Sequence, residues 1–167
     1  MAPRRSLRPT MSHNHHSPTP MELAFAEAAA AAARGEVPVG AVIIHPLSGQ
    51  VLASAGNRTE ELCDPTAHAE ILAIRAAARA LNSPRLPGLD LYVTLEPCAL
   101  CAAAISFARL RRVYFGAYDP KGGGVEHGPR FFRQPTCHHA PEIYGGFDES
   151  RAAEQLRTFF RQRRDGF

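Results

Sequence analysis

The sequence predicts an α/β domain in which helices cover the faces of a five-stranded sheet, and three observations lead there. The chain has 167 residues, 45% hydrophobic and 21% charged, which is one ordinary domain, close to the globular average and long enough to bury a core without disulfides. Helical and strand-like segments alternate in the order α-β-β-α-β-α-β-loop-β-α, and helices interleaved with strands pack as layers. No run of about 18 uncharged apolar residues occurs, so no segment reads as a membrane-spanning helix.

Residues 1–20 read as a disordered polar tail, with Arg4, Arg5, Arg8, several prolines and the run His13-Asn14-His15-His16 but no apolar periodicity. An arginine-rich start without acids also resembles a transit peptide, and Met11 and Met21 offer later starts. The folded domain is expected over 21–167. Met21 to Arg34 reads as a helix stopped by Gly35. Val39 to His45 and Gln50 to Ala55 read as strands joined by a turn through Pro46, Ser48 and Gly49. After a loop from Asn57 to Thr66, His68 to Leu81 is a second helix, broken by Asn82, Ser83, Pro84, Pro87 and Gly88. Leu89 to Leu95 is a strand. Cys98 to Phe107 is a third helix with Pro97 just before its start. Arg112 to Ala117 is a strand, and Tyr118 to Ala140 is irregular, with glycines at Gly122, Gly123 and Gly124. Glu142 to Tyr144 adds a short fifth strand, and Ser150 to Arg164 closes the chain as a helix.

Four cysteines are too few for a disulfide scaffold, and Cys98 with Cys101 has the spacing of a metal or redox site in a reducing compartment. Residues at i and i+3 share a helix face, so both sulfurs can reach one ion. Both lie at the start of a helix, where unpaired N–H groups favour thiolates. Zinc bonds thiolates at about 2.3 Å and takes four ligands, so two places stay open. His68, at the start of the other helix, is the best third ligand, and a water completes a catalytic site. Glu70 lies two residues from His68. That spacing puts the two on different faces of a regular helix, so both meet at the ion only if it sits off the helix mouth. There Glu70 becomes a proton shuttle. A Cys-x-x-Cys that follows a strand and opens a helix also suits a dithiol redox protein.

The order of these segments carries more than either alone. His-x-Glu followed by Pro-Cys-x-x-Cys is the signature of zinc-dependent nucleobase deaminases. Ala67-His68-Ala69-Glu70-Ile71-Leu72 and Leu91-Tyr92-Val93-Thr94-Leu95-Glu96-Pro97-Cys98-Ala99-Leu100-Cys101 resemble the cytidine deaminase-like superfamily and, within it, the bacterial tRNA-specific adenosine deaminases. Glu36-Val37-Pro38-Val39-Gly40-Ala41, Asn57-Arg58, Val113-Tyr114-Phe115-Gly116-Ala117 and Phe159-Phe160-Arg161-Gln162-Arg163-Arg164 extend the resemblance over Met21 to Arg164.

The resemblance implies a three-layer α-β-α fold around a five-stranded mixed sheet. It implies one zinc per subunit on His68, Cys98 and Cys101, and Glu70 moving protons between the zinc-bound water, N1 of adenine and the departing amine. Asn57 is implied to hydrogen-bond the flipped base, Pro38 and Val39 to line its pocket, and Asp119 to contact the RNA backbone. Asn57 also reads as a loop cap, and Asp119 also reads as a turn residue before Pro120. Arg157, Arg161, Arg163 and Arg164 are implied to grip tRNA phosphates, though cations at a helix C-terminus are also ordinary dipole partners. At least one of Phe159 and Phe160 is expected to pack on the core. The glycine-rich stretch after Asp119 and the run Cys137-His138-His139 depart from the family pattern, and the latter reads as loop, as does Cys63.

The implied activity is hydrolytic: adenosine becomes inosine at the wobble position of a tRNA, an arginine tRNA in particular, with release of ammonia. A deaminase of free guanine or cytosine is the near alternative, and the dithiol redox protein the distant one. The expected partners are a tRNA anticodon loop and a second copy of the chain, with no membrane and no organic cofactor, in the bacterial cytoplasm. The net charge of +3 comes from 18 arginines and one lysine, Lys121, against 16 acids. Such an arginine bias fits phosphate binding, and equally a GC-rich genome.

Overall fold

The structure, a computed structural model, describes residues 16–166, so the expectations for 1–15, including the His13 to His15 part of the histidine run, lie outside the described residues. The elements follow the predicted order: α1 (Pro20–Ala33), β1 (Gly40–Ile44), β2 (Val51–Gly56), α2 (Ala69–Leu81), β3 (Asp90–Leu95), α3 (Ala99–Phe107), β4 (Arg112–Ala117), β5 (Glu142–Tyr144) and α4 (Glu149–Asp165). A single 3-10 turn, Phe131–Arg133, interrupts the irregular stretch.

Helix α1 starts one residue earlier than expected because Thr19-Pro20-Met21-Glu22 is a capping box. The Thr19 hydroxyl accepts the Glu22 amide at 3.2 Å, and the Glu22 carboxylate accepts the Thr19 amide at 2.6 Å. Arg34 caps the other end, and Gly35 takes the left-handed φ of +82° that ends the helix.

The strand order is β2-β1-β3-β4-β5. β1 is antiparallel to both β2 and β3, while β3, β4 and β5 are parallel. This is the five-stranded mixed sheet. β2, β3 and β4 therefore run in one direction and end at one edge of the sheet, where β1 begins. Helices α2 and α3 follow β2 and β3 and so open at that edge, the usual place for a site in an open α/β sheet.

The strand alternation splits the core in two. Ala41, Ile43, Leu91, Val93, Val113 and Phe115 face α2 and α3, packing on Ala69, Ala73, Ala77, Ala102 and Ile105. Val42 and Ile44 face α1 and α4, packing with Met21, Ala24, Phe25 and Ala152. Every residue of β1 is buried, as expected for a strand covered on both faces. Gly40 is needed there: a Cβ on it would strike the Ala24 carbonyl, so α1 lies directly on the strand. On β3, β4 and β5, Tyr92, Tyr114 and Tyr144 stack at centroid separations of 4.5 and 5.1 Å, tying the short edge strand to the sheet.

Candidate active site and metal centre

His68 and Cys98 are the N-caps of α2 and α3, and Cys101 lies in the first turn of α3. His68 Nδ1 stands 3.5 Å from Cys98 Sγ and 3.4 Å from Cys101 Sγ. The ligand atoms of the three residues all lie within 4.8 Å of one another. Neither cap uses its own side chain on the helix. Asn57 does that for α2, its side-chain oxygen accepting the Ala69 amide at 2.8 Å, which leaves the imidazole free to face the sulfurs.

Left to one another, the three groups divide their protons. The hydrogen bond from the Cys101 thiol pulls Cys98 down to about 4, with His68 helping, so Cys98 is a thiolate. The bond that Cys101 donates, together with burial, pushes its own thiol far up. The Cys98 sulfur raises His68 against the opposing effect of burial. Two sulfurs and an imidazole converging on one point, with one sulfur already ionised, are the donor set of a three-ligand zinc site with an open fourth position.

Glu70 reaches the same place. It is in the first turn of α2 and buried, and it lines a cavity of about 300 Å³ together with His68 and Cys98. Burial pushes its carboxyl up to about 7, and the negative Cys98 adds to this. Regular helical spacing puts His68 and Glu70 on different faces. They meet because His68 is the cap, outside the helix, and both lie at its mouth.

The rest of the cavity wall comes from beside four of the five strands: Val37 and Val39 before β1, Asn57 and Thr59 after β2, Leu95 and Glu96 at the end of β3, and Asp119 and Gly122 after β4. Two buried carboxylates hold the loops. Glu36 accepts the Glu61 amide at 2.8 Å and the Glu60 amide and Thr59 hydroxyl at 3.3 Å each. Glu96 accepts the amides of Asp119, Val125, Glu126 and His127. Burial works to raise both, and these hydrogen bonds outweigh it, so both carboxyls are held below the usual range. Glu36 and Glu96 sit inside the family-like segments, yet the sequence alone assigns them no role. The available signal is an acid bordering an apolar strand beside a loop rich in unpaired amides.

Val39 lines the cavity, and Pro38 does not. Consecutive side chains in an extended segment alternate, so Val37 and Val39 share the pocket side while Pro38 turns into a groove between α1 and α4. Asn57 is both things the sequence allowed, a cap and a pocket residue, and only its NH2 remains for a ligand. Asp119 likewise lines the cavity while its carboxylate accepts the Lys121 and Gly122 amides at 3.2 and 3.0 Å.

The arginines of α4 separate. Arg157, Arg161 and Arg164 line one surface hollow with Leu156 and Phe160, and Glu154 pairs with Arg157 at 2.8 Å and Arg161 at 3.9 Å. Arg163 turns away, bonding the Gly35 carbonyl at 3.0 Å and covering the buried Phe159 ring at 4.9 Å. Phe159 is the core residue of the pair, while Phe160 is exposed beside Tyr118 and Lys121, next to the cavity. Cys137 and His139 fasten their loop to the end of α3 through Ser106 and the Leu110 carbonyl, and Cys63 is exposed in its loop.

Residues 15–117 match the family described as the cytidine and deoxycytidylate deaminase zinc-binding region. A tRNA-specific adenosine deaminase of Agrobacterium fabrum is 65% identical over 144 residues, 86% of this chain and 93% of that protein. One from Rickettsia bellii is 45% identical over 80% of this chain and 92% of its own length. A solved structure from work on A-to-I editing by tRNA:A34 deaminases at the wobble position superposes with a TM-score of 0.80 at 64% identity, covering 82% of this chain and 98% of that one. With such identity spread over nearly the whole length of its relatives, and with a donor set suited to zinc, the chain belongs to the tRNA-specific adenosine deaminases of the zinc-binding cytidine and deoxycytidylate deaminase family.

Proposed function

We propose that this protein hydrolytically deaminates adenosine to inosine at the wobble position of tRNA, and of an arginine tRNA in particular. The observation that carries the reading is the clustering of His68, Cys98 and Cys101 beside a cavity that His68 and Cys98 line with the buried Glu70, in a chain 65% identical to a tRNA-specific adenosine deaminase.

His68, Cys98 and Cys101 hold one zinc per subunit, which supplies the Lewis acidity that makes water a nucleophile near neutral pH. Glu70 takes a proton from the attacking water and delivers one to N1 of the base. It then passes a proton to the departing amine, so adenosine and water leave as inosine and ammonia. Asn57 offers its NH2 to the extruded base, Val37, Val39 and Leu95 give the cavity its apolar wall, and Asp119 meets the adjoining nucleotide backbone. Arg157, Arg161 and Arg164 contact phosphates of the anticodon loop. Phe107 and Leu100 on α3, 71% and 43% exposed, suit a face covered by a second copy of the chain. No helix among the described residues is long and apolar enough to cross a membrane, and the bacterial tRNA enzymes it resembles support a cytoplasmic place of work.

The test is to incubate the zinc-loaded protein with an arginine tRNA carrying adenosine at the wobble position and to sequence for inosine. Free adenosine, guanine and cytosine run in parallel. Inosine at that one position is expected. Turnover of a free base alone would overturn the tRNA substrate and keep the deaminase chemistry. A mass near the 18.1 kDa of one chain at micromolar concentration would overturn the dimer.

A further inference from the structure

We infer that Glu96 is a positioning residue for the substrate pocket: its buried carboxylate anchors the loop from Asp119 to Gly128 as the pocket's wall, and it acts on substrate through Asp119. This rests on the reading of the cavity as the site for the target base.

The Glu96 side chain is completely shielded from solvent. Its Oε1 accepts the amides of Glu126 at 2.8 Å, His127 at 3.0 Å and Val125 at 3.3 Å. Its Oε2 accepts the Asp119 amide at 2.9 Å and lies 2.8 Å from His127 Nδ1. One carboxylate thus gathers both ends of a loop that has no regular secondary structure to pair its backbone. A buried amide left unpaired is costly, so this cluster holds the loop in one conformation.

The glycines fit the same arrangement. A Cβ on Gly123 would strike Glu96 Oε1, so the loop closes over the carboxylate only because that position is bare. Gly124 donates to the Pro97 carbonyl at 2.8 Å, pinning the middle of the loop beside the cysteine helix. Of the two loop residues on the cavity wall, Asp119 is itself anchored and Gly122 lies between it and the Gly124 contact. Glu96 joins the end of β3, which leads to Cys98, to the loop that brings Asp119 and Gly122 to the cavity wall. The glycine-rich stretch is therefore a requirement of that buried anchor.

The test uses the full-length, zinc-loaded protein and Glu96→Gln. The glutamine oxygen can still take the Val125, Glu126 and His127 amides, while its NH2 stands where Oε2 met the Asp119 N–H and the His127 ring, so the Asp119 end comes loose and the imidazole contact changes with it. Amide exchange is expected to quicken about tenfold or more at Asp119 and at Lys121, Gly122 and Gly123, whose amides bond to Asp119, with 125–127, α2 and α3 unchanged. Zinc content is expected to stay at the wild-type value. KM for tRNA is expected to rise about tenfold with kcat within about threefold, because the loosened wall serves substrate and transition state alike. His127→Ala removes only the imidazole contact and is expected to move exchange and KM the same way by less. It carries the test if Glu96→Gln does not fold. Unchanged loop exchange would overturn the proposal, and so would loss of zinc or a fall in kcat at constant KM. Exchange is read without substrate, so a protein that left tRNA unedited would overturn the functional reading while the anchoring result stood separately.

Discussion

The Asn57 side-chain oxygen accepts the Ala69 amide at 2.8 Å, so a residue on the pocket wall also caps the helix that carries Glu70. The two roles use different atoms and separate by mutation. Asn57→Ala is expected to cost about 1 kcal/mol of stability, the usual worth of an N-cap, and to lower activity. Asn57→Asp keeps an equally good cap but loses the NH2 donor. It is expected to melt like wild type in urea and to edit poorly. An Asp variant with full inosine yield would remove Asn57 from base recognition.

Glu70 moves protons and holds no metal in this scheme. Glu70→Gln or Glu70→Ala is expected to keep the zinc content and the fold and to lower deamination by about a thousandfold or more, in the upper part of the range for general acid–base catalysis. Metal analysis beside an inosine assay checks it, and an active Glu70→Ala protein would end the mechanism.

The three candidate ligands lie at the mouths of α2 and α3, so zinc bound by them would add to the stability of those helix starts. Chelation is expected to abolish activity and to lower the melting temperature, both reversed by added zinc. Free zinc a thousandfold above Kd stabilises a folded site by about 4 kcal/mol. Cys101→Ser is expected to bind zinc far more weakly and to lie near the chelated protein in both measurements. Full activity after exhaustive chelation would contradict the assignment.

Glu36 makes a pH prediction. Burial opposes its ionisation, but the Glu61 and Glu60 amides, the Thr59 hydroxyl and Arg34 lower its pKa below the ordinary 4.5. A depressed carboxylate contributes stability that is present above the unfolded pKa and lost as pH falls through the folded one. The wild type is therefore expected to lose stability below about pH 4.5. Glu36→Gln is expected to be less stable at pH 7 and to lose less on acidification. Urea midpoints from pH 7 to pH 3 for the two proteins check the sign, and parallel curves would refute it.

The α4 arginines divide into two sets by geometry. Replacing Arg157, Arg161 or Arg164 by Ala is expected to weaken tRNA binding and to flatten its salt dependence by about 0.7–0.9 for each phosphate left without its arginine. Arg163→Ala is expected to leave the slope alone and to loosen α4 from the end of α1, because its guanidinium is spent on Gly35 and Phe159. Binding measured across a salt series distinguishes them.

The elements and the cysteine pair are legible in the sequence because both are local, while His68, 30 residues before Cys98, joins them only through the fold. Alternation, capping and breakers define the strands and helices, and Cys98 with Cys101 share a face by spacing alone. Where sequence and structure part, the cause is equally physical. Pro38 is a pocket residue only as the family resemblance implies, and period-2 alternation turns its side chain into the groove between α1 and α4. Glu36 and Glu96 show no role in the sequence because nothing in their immediate surroundings shows that loops 25 and 31 residues further on will bring them amides.

Residue type and short spacing pointed to the proposed chemistry, with two thiols and an imidazole that suit zinc and a carboxyl that suits proton transfer, and determined a layered domain through alternating helices and strands. Tertiary structure decided how they meet. β2, β3 and β4 end at one edge because each of their pairings sets a strand direction, and those pairings are made across the sheet. Only then do His68, Glu70 and Cys98 share a cavity, and only then does burial raise Glu70 while backbone amides keep Glu96 ionised. Burial and long-range hydrogen bonding depend on the whole packed chain, and no window of sequence contains them.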